Sequence, residues 1–404
     1  MRIKIMALES SPTFKHAIAD PISRKALLGI GRKISFVPSM NRSLNRGETE
    51  DFSSPCPSSV WTSGNYHSLL EVPMFYPIGR TSTVVNCYDL GGIANRILGC
   101  LQKLSITAKF NASEACTLFA ETLDYTKFYV RLYKDSKGIL VELQRVDGDS
   151  FNFIKYAHLI LASARGEKID ERKSATRRRS SLNYIPASIL SCHIEQCPHE
   201  DSTDAYMMHV EELIKKDRSD AILLGIESLL LLTDRDRSTV SLSAAEAVLS
   251  GNGHSVIKDF IYKCIHCPRL ALSPEDYDFD HASRQCETMH NTALAVLGNS
   301  LQTASDAECP RLLRSLLQSE EWMGHAGLVD ALLYELSHAE DRSHDAYHAA
   351  RCLNTLLDSS SEMKRTLIER GLPDVMKDSQ TVGRRRHSLL ARECDAALAL
   401  MADV

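Results

Sequence analysis

The sequence lacks the long apolar run that a membrane-spanning helix requires. A span needs about 18 to 20 predominantly apolar residues. The longest candidate, AILLGIESLLLL at residues 221–232, is much shorter than that. We therefore interpret this stretch as a buried helix and expect no transmembrane segment.

A disulfide framework is also missing. The 12 cysteines are scattered over 404 residues, several lie in apolar helical patterns, and no secretory signal peptide precedes them. Disulfide scaffolds are typical of short secreted chains. We expect free thiols in a reducing compartment, which predicts a cytoplasmic location, with the nucleus as a second compartment. The basic, Ser-rich first 46 residues leave import into an organelle as the alternative.

The chain has no excess of basic residues. Its 47 Lys and Arg residues stand against 52 Asp and Glu residues, which gives a net charge of −5. Binding to nucleic-acid phosphates needs a basic face, so we expect no nucleic-acid partner. The hydrophobic fraction of 44% is ample for large cores, and the length suits two or three domains.

Known catalytic motifs are absent from the sequence. It contains no G-x-S-x-G elbow, no H-E-x-x-H helix and no phosphate-binding loop. The 15 histidines are dispersed, and those such as His158 and His290 fall on predicted helical faces where core or surface roles are common. We predict no catalytic residues, no cofactor and no enzymatic activity. An enzyme with an unfamiliar active site is the alternative.

Two metal-binding patterns are incomplete. The zinc-like clusters CHIEQCPH and CIHC are far apart, and the second fits core thiols equally well. The segment DYDFDHASRQCE has acidic residues at EF-hand positions, but His281 stands where the loop requires glycine and Pro274 interrupts the entering helix. We predict no metal site and interpret the acidic segment as a solvated insertion between helices.

Composition divides the chain into four regions. Residues 1–85 are rich in Ser, Pro and Arg and are predicted to be mostly disordered. Residues 86–166 form a compact α/β module, residues 167–203 a basic linker, and residues 204–404 a helical domain. The expected fold class is therefore an α+β module followed by an all-α domain.

The module's pattern predicts a helix, three or more strands and a second helix. Phe128, Val130 and Leu132 alternate along one strand of a hairpin and should face the core, as should Val141 and Leu143 on its partner. Ser150 is the predicted cap of the last helix. Its expected apolar face comprises Phe151, Phe153, Ile154, Ala157, His158, Ile160 and Leu161.

The end of this module resembles a kinase-associated-1 domain, a small α/β module found at the C-terminus of some protein kinases. Arg145, Gly148, Ser150 and Phe153 stand at the spacings of that family's last strand, turn and helix. The resemblance covers about 75 residues, and the chain departs from such kinases because it has no kinase motifs. It implies contacts with an anionic phospholipid surface or a regulatory partner, through Arg145 and Lys155.

The helical domain resembles armadillo and HEAT repeats. Segments such as AYHAARCLNTLLDSS and LLARECDAALALM are variants of one Leu-rich helix, and the spacing of Leu353 and Leu398 suits repeats of about 40 to 47 residues. MKRTLIERGLPDVM predicts a helix, a turn at Gly371 and a second helix. We expect Leu230, Leu297, Leu353 and Leu398 to be buried. A non-repetitive helical bundle is the alternative.

These patterns favour a non-catalytic adaptor that holds protein partners on a helical-repeat surface, with the module on a membrane or a regulatory partner. A subunit that regulates a protein kinase in trans is the alternative from another class. The basic linker predicts further contacts with an anionic surface at Arg177, Arg178 and Arg179. Arg-Arg-x-Ser patterns predict phosphorylation at Ser180, Ser181 and Ser388.

Overall fold

The computed structural model describes residues 69–72, 79–110, 116–167, 201–216, 218–266, 279–307 and 309–402. All of them belong to one compact unit, Ser54–Val404. An antiparallel sheet with two helices comes first and a long series of helices follows, which confirms the predicted order of an α+β module and an all-α region. Within these described ranges, no helix is both long and apolar enough to cross a membrane.

The module consists of five strands and two helices. In chain order they are β1 (Ser82–Val85), α1 (Leu90–Leu104), β2 (Thr107–Phe110), β3 (Thr117–Glu121), β4 (Lys127–Asp135), β5 (Gly138–Asp147) and α2 (Ser150–Ala164). The spatial order in the sheet is β1-β5-β4-β3-β2, and every pair is antiparallel. The sheet therefore includes β1, which lies before the boundary at residue 86 that the sequence suggested.

The hairpin of β4 and β5 confirms the predicted register. Phe128, Val130 and Leu132 are at most 3% exposed, and Val141 and Leu143 are equally buried. Tyr129 points to the other face of the sheet, where its ring meets Phe119 edge-on at a centroid distance of 5.5 Å. The alternation follows because successive strand residues face opposite sides.

The N-cap of helix α2 is one residue earlier in the chain than the sequence suggested. Asp149, not Ser150, is the N-cap, and its carboxylate accepts from the Asn152 backbone N–H at 2.7 Å. The predicted apolar face was too broad: Phe151 is 82% exposed, and Ile154 and His158 are also exposed. Phe153 is the aromatic residue that packs onto the sheet, with its ring 5.8 Å from that of Phe128.

The helical region follows the module. Its helices are α3 (Asp201–Ile214), α4 (Ser219–Leu232), α5 (Ser241–Ser250), α6 (Ser255–His266), α7 (Phe279–Asp306), α8 (Pro310–Leu317), α9 (Glu320–Met323), α10 (Leu328–Ser337), α11 (Ser343–Ser359), α12 (Ser361–Glu369), α13 (Leu372–Arg386) and α14 (Ser388–Ala402). Their apolar faces share one continuous core.

Four Leu-rich helices form a ladder in which α4 packs on α7, α7 on α11 and α11 on α14. Leu297 and Leu353 are fully buried in it, as predicted. The same prediction was wrong for Leu230 and Leu398, which are only half-buried. The preceding residue is buried instead in each helix, Leu229 on α4 and Ala397 on α14, because each buried face is rotated by one position, or roughly 100°.

Two sequence features of this region have different outcomes. Gly371 adopts a left-handed conformation with φ of 84° between α12 and α13, as the predicted turn requires. The acidic segment was interpreted incorrectly as an insertion, since Asp280 and Glu287 belong to the single 28-residue helix α7. Asp276 and Asp278 lie outside the described residues.

Candidate functional site

A polar cleft runs along the ladder where α7, α11 and α14 lie side by side. Its volume is about 590 Å³. The residues that line it are Gln302, Ser305, Arg351, Asn354, Thr355, Asp358, Glu393, Ala396, Ala399 and Leu400. Most of these side chains carry hydrogen-bonding groups, which distinguishes the cleft from the apolar core beneath it.

Asparagine amides join neighbouring helices of the ladder. Asn354 on α11 donates from Nδ2 to both the backbone oxygen and the carboxylate of Glu393 on α14, each at 2.8 Å. Asn299 on α7 donates in the same way to the Leu230 backbone oxygen on α4, at 3.4 Å. The bond from Asn354 holds the Glu393 carboxylate in a fixed place beside the cleft.

The two basic residues that the sequence singled out in the module lie near the turn from β5 into α2. Arg145 is exposed and donates to the Gly148 backbone oxygen at 2.6 Å. Lys155 lies with its ammonium 5.6 Å from the centre of the Tyr156 ring. Arg145 thus helps to hold the turn, and its guanidinium remains open to solvent on the other side.

Exposed apolar side chains cluster in sequence at the same turn. Val146 is 46% exposed, Phe151 82% and Ile154 36%. Single exposed apolar side chains are ordinary on a protein surface, whereas a group of them marks a candidate contact surface. Their position between Arg145 and Lys155 combines apolar and basic groups on one short stretch of the module.

Five residues of the predicted linker sites lie outside the described residues. They are the predicted contacts Arg177, Arg178 and Arg179 and the predicted phosphorylation sites Ser180 and Ser181. Ser388 is described and begins α14. Its hydroxyl lies 3.0 Å from that of Ser105 and donates to the Lys103 backbone oxygen at 2.9 Å. A phosphate on Ser388 would therefore require the module to separate from α14.

Ser105 and Ser388 belong to a junction between the module and the helical region. Tyr125, in the turn from β3 to β4, places its hydroxyl 2.8 Å from both Asn291 Oδ1 and Thr292 Oγ1 on α7. Ser105 and Tyr125 have φ values of 56° and 58°, which non-glycine residues seldom adopt. Left-handed residues of this kind are enriched at functional contacts, and here both side chains reach across the junction.

Two histidines continue the junction through an ordered chain of hydrogen bonds. The Leu390 backbone N–H donates to His387 Nδ1 at 3.1 Å, so the neutral His387 ring carries its proton on Nε2. That Nε2–H donates to His344 Nδ1 at 3.0 Å. His344 Nε2–H then donates to the Glu121 backbone oxygen at 3.0 Å. A further proton on either ring would set two N–H groups against each other.

Burial keeps these rings neutral. It lowers the pKa of His344 and lowers the pKa of His387 well below its usual value, and the neighbouring histidines add to the effect on His387. His348, one turn along α11 from His344, is also buried, and burial lowers the pKa of its ring to about 3. The junction is consequently built for the uncharged form of histidine.

Sequence reasoning missed Tyr125, Asn291, His344 and His387. A partial signal exists in SHDAYHAARC, where Asp345, His348 and Cys352 recur at helical spacing on the face that is buried. Titratable residues on a core face indicate a polar contact. The partners, however, are more than 160 residues away in the case of Tyr125 and Asn291.

Comparison of the chain with models of protein families, with curated proteins and with solved structures found no match.

Proposed function

We propose that the protein is a non-catalytic adaptor that holds an extended peptide of a partner protein in the cleft between α7, α11 and α14. The cleft carries this proposal. It is open, polar and bordered by three helices of a ladder, and stacked helices of this kind provide extended surfaces for peptides. A peptide backbone needs donors and acceptors along its length, which Gln302 and Ser305 can supply.

The charges of the cleft favour a basic peptide. Asp358 is exposed, Glu393 is fixed by Asn354, and Arg351 is the basic side chain among the lining residues. Acidic groups thus outnumber basic ones. Complementary charge increases the rate of association and selects among partners, so the occupant should carry Lys or Arg.

The first prediction concerns a residue that would fill the cleft. Ala396 is exposed on its wall, and Ala396→Arg places a long cation where a basic peptide would lie. A peptide-display library selected against the full-length protein should yield basic extended sequences. The variant should bind them at least about tenfold more weakly, since like charges and lost volume act together.

The matched control is Ala205→Arg, which makes the same change at an exposed position on α3. It should retain the affinity of the unchanged protein, measured by fluorescence anisotropy. Equal affinities for the two variants would mean that the cleft is not the peptide site. The proposal is also wrong if the library yields no peptide whose binding is weakened by Ala396→Arg.

The proposed adaptor makes its second contact through the module, which binds an anionic phospholipid surface. Phe151 and Ile154 would enter the interfacial region while Arg145 and Lys155 meet the lipid phosphates. Basic residues near an anionic membrane each contribute on the order of 1 kcal/mol, and buried apolar side chains add to this. The resemblance to kinase-associated-1 domains points to the same class of contact.

The second prediction tests that contact with the full-length protein and vesicles. Sedimentation with vesicles containing phosphatidylserine should exceed sedimentation with neutral vesicles and should decrease with salt. Phe151→Ser should lower the partition coefficient by roughly tenfold, because a buried Phe contributes about 1.5–3 kcal/mol. Leu224→Ser, at a 53% exposed position on α4, is the control and should change little. Equal binding by both variants would rule out the Phe151 contact.

A further inference from the structure

Three buried side chains from three helices converge beneath the junction. His290 on α7, Glu335 on α10 and Asp345 on α11 are each 4% exposed. Each offers one ligand atom, and these three atoms lie within 4.8 Å of one another. A cluster of one imidazole and two carboxylates is unusual in an apolar core, because buried charged side chains are as a rule paired or coordinate a metal ion.

The proton arrangement of His290 singles out its second nitrogen. Nδ1 lies 2.9 Å from the Cys264 backbone oxygen on α6. A carbonyl oxygen only accepts, so Nδ1 carries the proton and the neutral ring has a lone pair on Nε2. That buried Nε2 makes no hydrogen bond to any residue in the described part of the chain. It lies 3.3 Å from Glu335 Oε1, but not in the direction of a hydrogen bond.

A ring nitrogen with a lone pair and a carboxylate oxygen repel each other at this distance unless a cation binds both. We propose that His290 Nε2, Glu335 and Asp345 bind a divalent first-row transition-metal ion that joins α7, α10 and α11. The sequence offered no spacing motif for this site, because its ligands come from three separate helices. It is independent of the proposed peptide cleft.

The surrounding contacts are of the kind that orient metal ligands. The Cys264 carbonyl fixes the His290 ring, and the Asn291 amide donates from Nδ2 to Asp345 Oδ1 at 2.7 Å. Arg342 reaches Glu335 Oε1 at 3.5 Å. Metal-binding histidines usually donate their other N–H to a carbonyl or carboxylate, and ligating carboxylates are themselves hydrogen-bonded.

The geometry fits a small ion after slight adjustment. Because the three ligand atoms are within 4.8 Å of one another, one point lies within about 2.8 Å of all of them, and Zn²⁺ ligands lie at roughly 2.0–2.2 Å. An imidazole nitrogen with two carboxylates suits Zn²⁺, Mn²⁺ or Fe²⁺. Ca²⁺ and Mg²⁺ require more oxygen ligands than this cluster supplies.

The site also communicates with the junction. Asn291 accepts from the Tyr125 hydroxyl of the module at 2.8 Å while it donates to Asp345. An ion at Asp345 would therefore fix Asn291 and, through it, the turn that carries Tyr125. The cluster supplies three protein ligands and leaves a fourth position of a tetrahedral ion to water, and its burial between three helices means that the ion would join them.

The test uses Zn²⁺ and the full-length protein after chelation and dialysis. Titration calorimetry should show that each chain binds one Zn²⁺ ion at this site. Elemental analysis should show that the ion is retained. Asp345→Asn keeps the shape of the side chain but removes its charge, and should weaken Zn²⁺ binding by more than about tenfold. Zn²⁺ should also raise the melting temperature of the unchanged protein, because it binds the folded state, and the variant should lose this increase.

The matched control is His254→Gln. His254 also lies beside a carboxylate, with its Nδ1 3.0 Å from Glu211 Oε1. Its second acidic neighbour, Asp204, is 4.0 Å away and largely exposed. This variant should keep the site's Zn²⁺ affinity. The rival arrangement is a doubly protonated His290 that pairs with Glu335 without metal. It predicts no Zn²⁺-dependent stabilisation, and that result would overturn the proposal.

X-ray absorption of the Zn²⁺-loaded protein decides the matter if Asp345→Asn does not fold. The proposed site predicts a first shell of nitrogen and oxygen with one imidazole. A sulfur shell at roughly 2.3 Å would place the ion on cysteines instead and would also overturn the proposal. Absence of bound Zn²⁺ in the unchanged protein has the same consequence.

Discussion

Acidification from about pH 6.5 to about pH 4.5 is expected to lower the free energy of unfolding by on the order of 5 kcal/mol through His348 and His387 alone. Both rings are buried in the neutral form, and burial lowers the pKa of each. In the unfolded chain they titrate near their usual value of 6.5. Below that pH the unfolded state therefore binds more protons than the folded state.

The sign and window follow from this difference. A depressed folded pKa means that the contribution to stability is complete above about pH 6.5 and is lost as the pH falls toward the folded pKa. Each histidine changes the free energy of unfolding by about 1.4 kcal/mol per pH unit in that window. His344 and Tyr347 are the titratable side chains whose rings pack against His387, and burial raises the pKa of Tyr347, so its phenol stays neutral throughout.

Urea unfolding followed by circular dichroism at a series of pH values measures the effect. His387→Asn removes one titrating ring and should reduce the pH dependence by about 1.4 kcal/mol per pH unit, whatever it does to stability at neutral pH. His209→Asn changes an exposed histidine on α3 and should leave the slope as it was. Identical slopes in the two variants would show that His387 does not couple folding to protonation.

The parts of the fold that the sequence predicted have strong periodicity. The strands of the hairpin are nine and ten residues long, and the alternation from Phe128 to Leu132 is enough to identify its buried face. Strands β1 and β2 have only four residues each. They are identified by pairing with β5 and β3, and that pairing is a tertiary contact without a local pattern.

Helix α2 shows that the sequence pattern predicts a helix more accurately than it predicts which of its side chains are buried. The pattern gave the helix and most of its buried residues, but it also placed Phe151 on the apolar face because Phe151, Ile154, His158 and Leu161 recur at helical spacing. Phe153, Ala157 and Ile160 lie on the buried face, and Phe151, two positions before Phe153, is roughly 200° away around the helix and therefore points outward. Hydrophobicity alone therefore predicts a helix better than it predicts which apolar side chain is left in solvent.

The candidate sites depend on contacts between distant segments. Asp345 and His348 lie on the buried face of a helix that the sequence predicted, so their burial could have been expected. Their chemistry depends on other elements. His290 is 45 positions before Glu335 and is oriented by the Cys264 carbonyl. No spacing rule for a single helix or loop gives such a combination.

Truncation of Leu353 to alanine is expected to cost about 2–5 kcal/mol of unfolding free energy. Leu353 lies in the middle of α11, is fully buried, and belongs to the core shared by the ladder helices. Its neighbours α7 and α14 are held at fixed distances by other contacts, among them the bond from Asn354 to Glu393, so they cannot close fully around the missing atoms. The loss of transfer energy and the remaining cavity therefore add.

Leu224→Ala is the matched control for this change. Leu224 is on α4 of the same ladder but is 53% exposed, so its truncation should alter the unfolding free energy by about 0.5 kcal/mol or less. Chemical unfolding at neutral pH measures both variants under one condition. If the two variants lose similar amounts of stability, or if Leu353→Ala leaves the unfolding midpoint unchanged, α11 does not pack between α7 and α14 as described. We expect a loss of unfolding free energy for Leu353→Ala and not for Leu224→Ala, because Leu353 fills a close-packed part of the core and Leu224 does not.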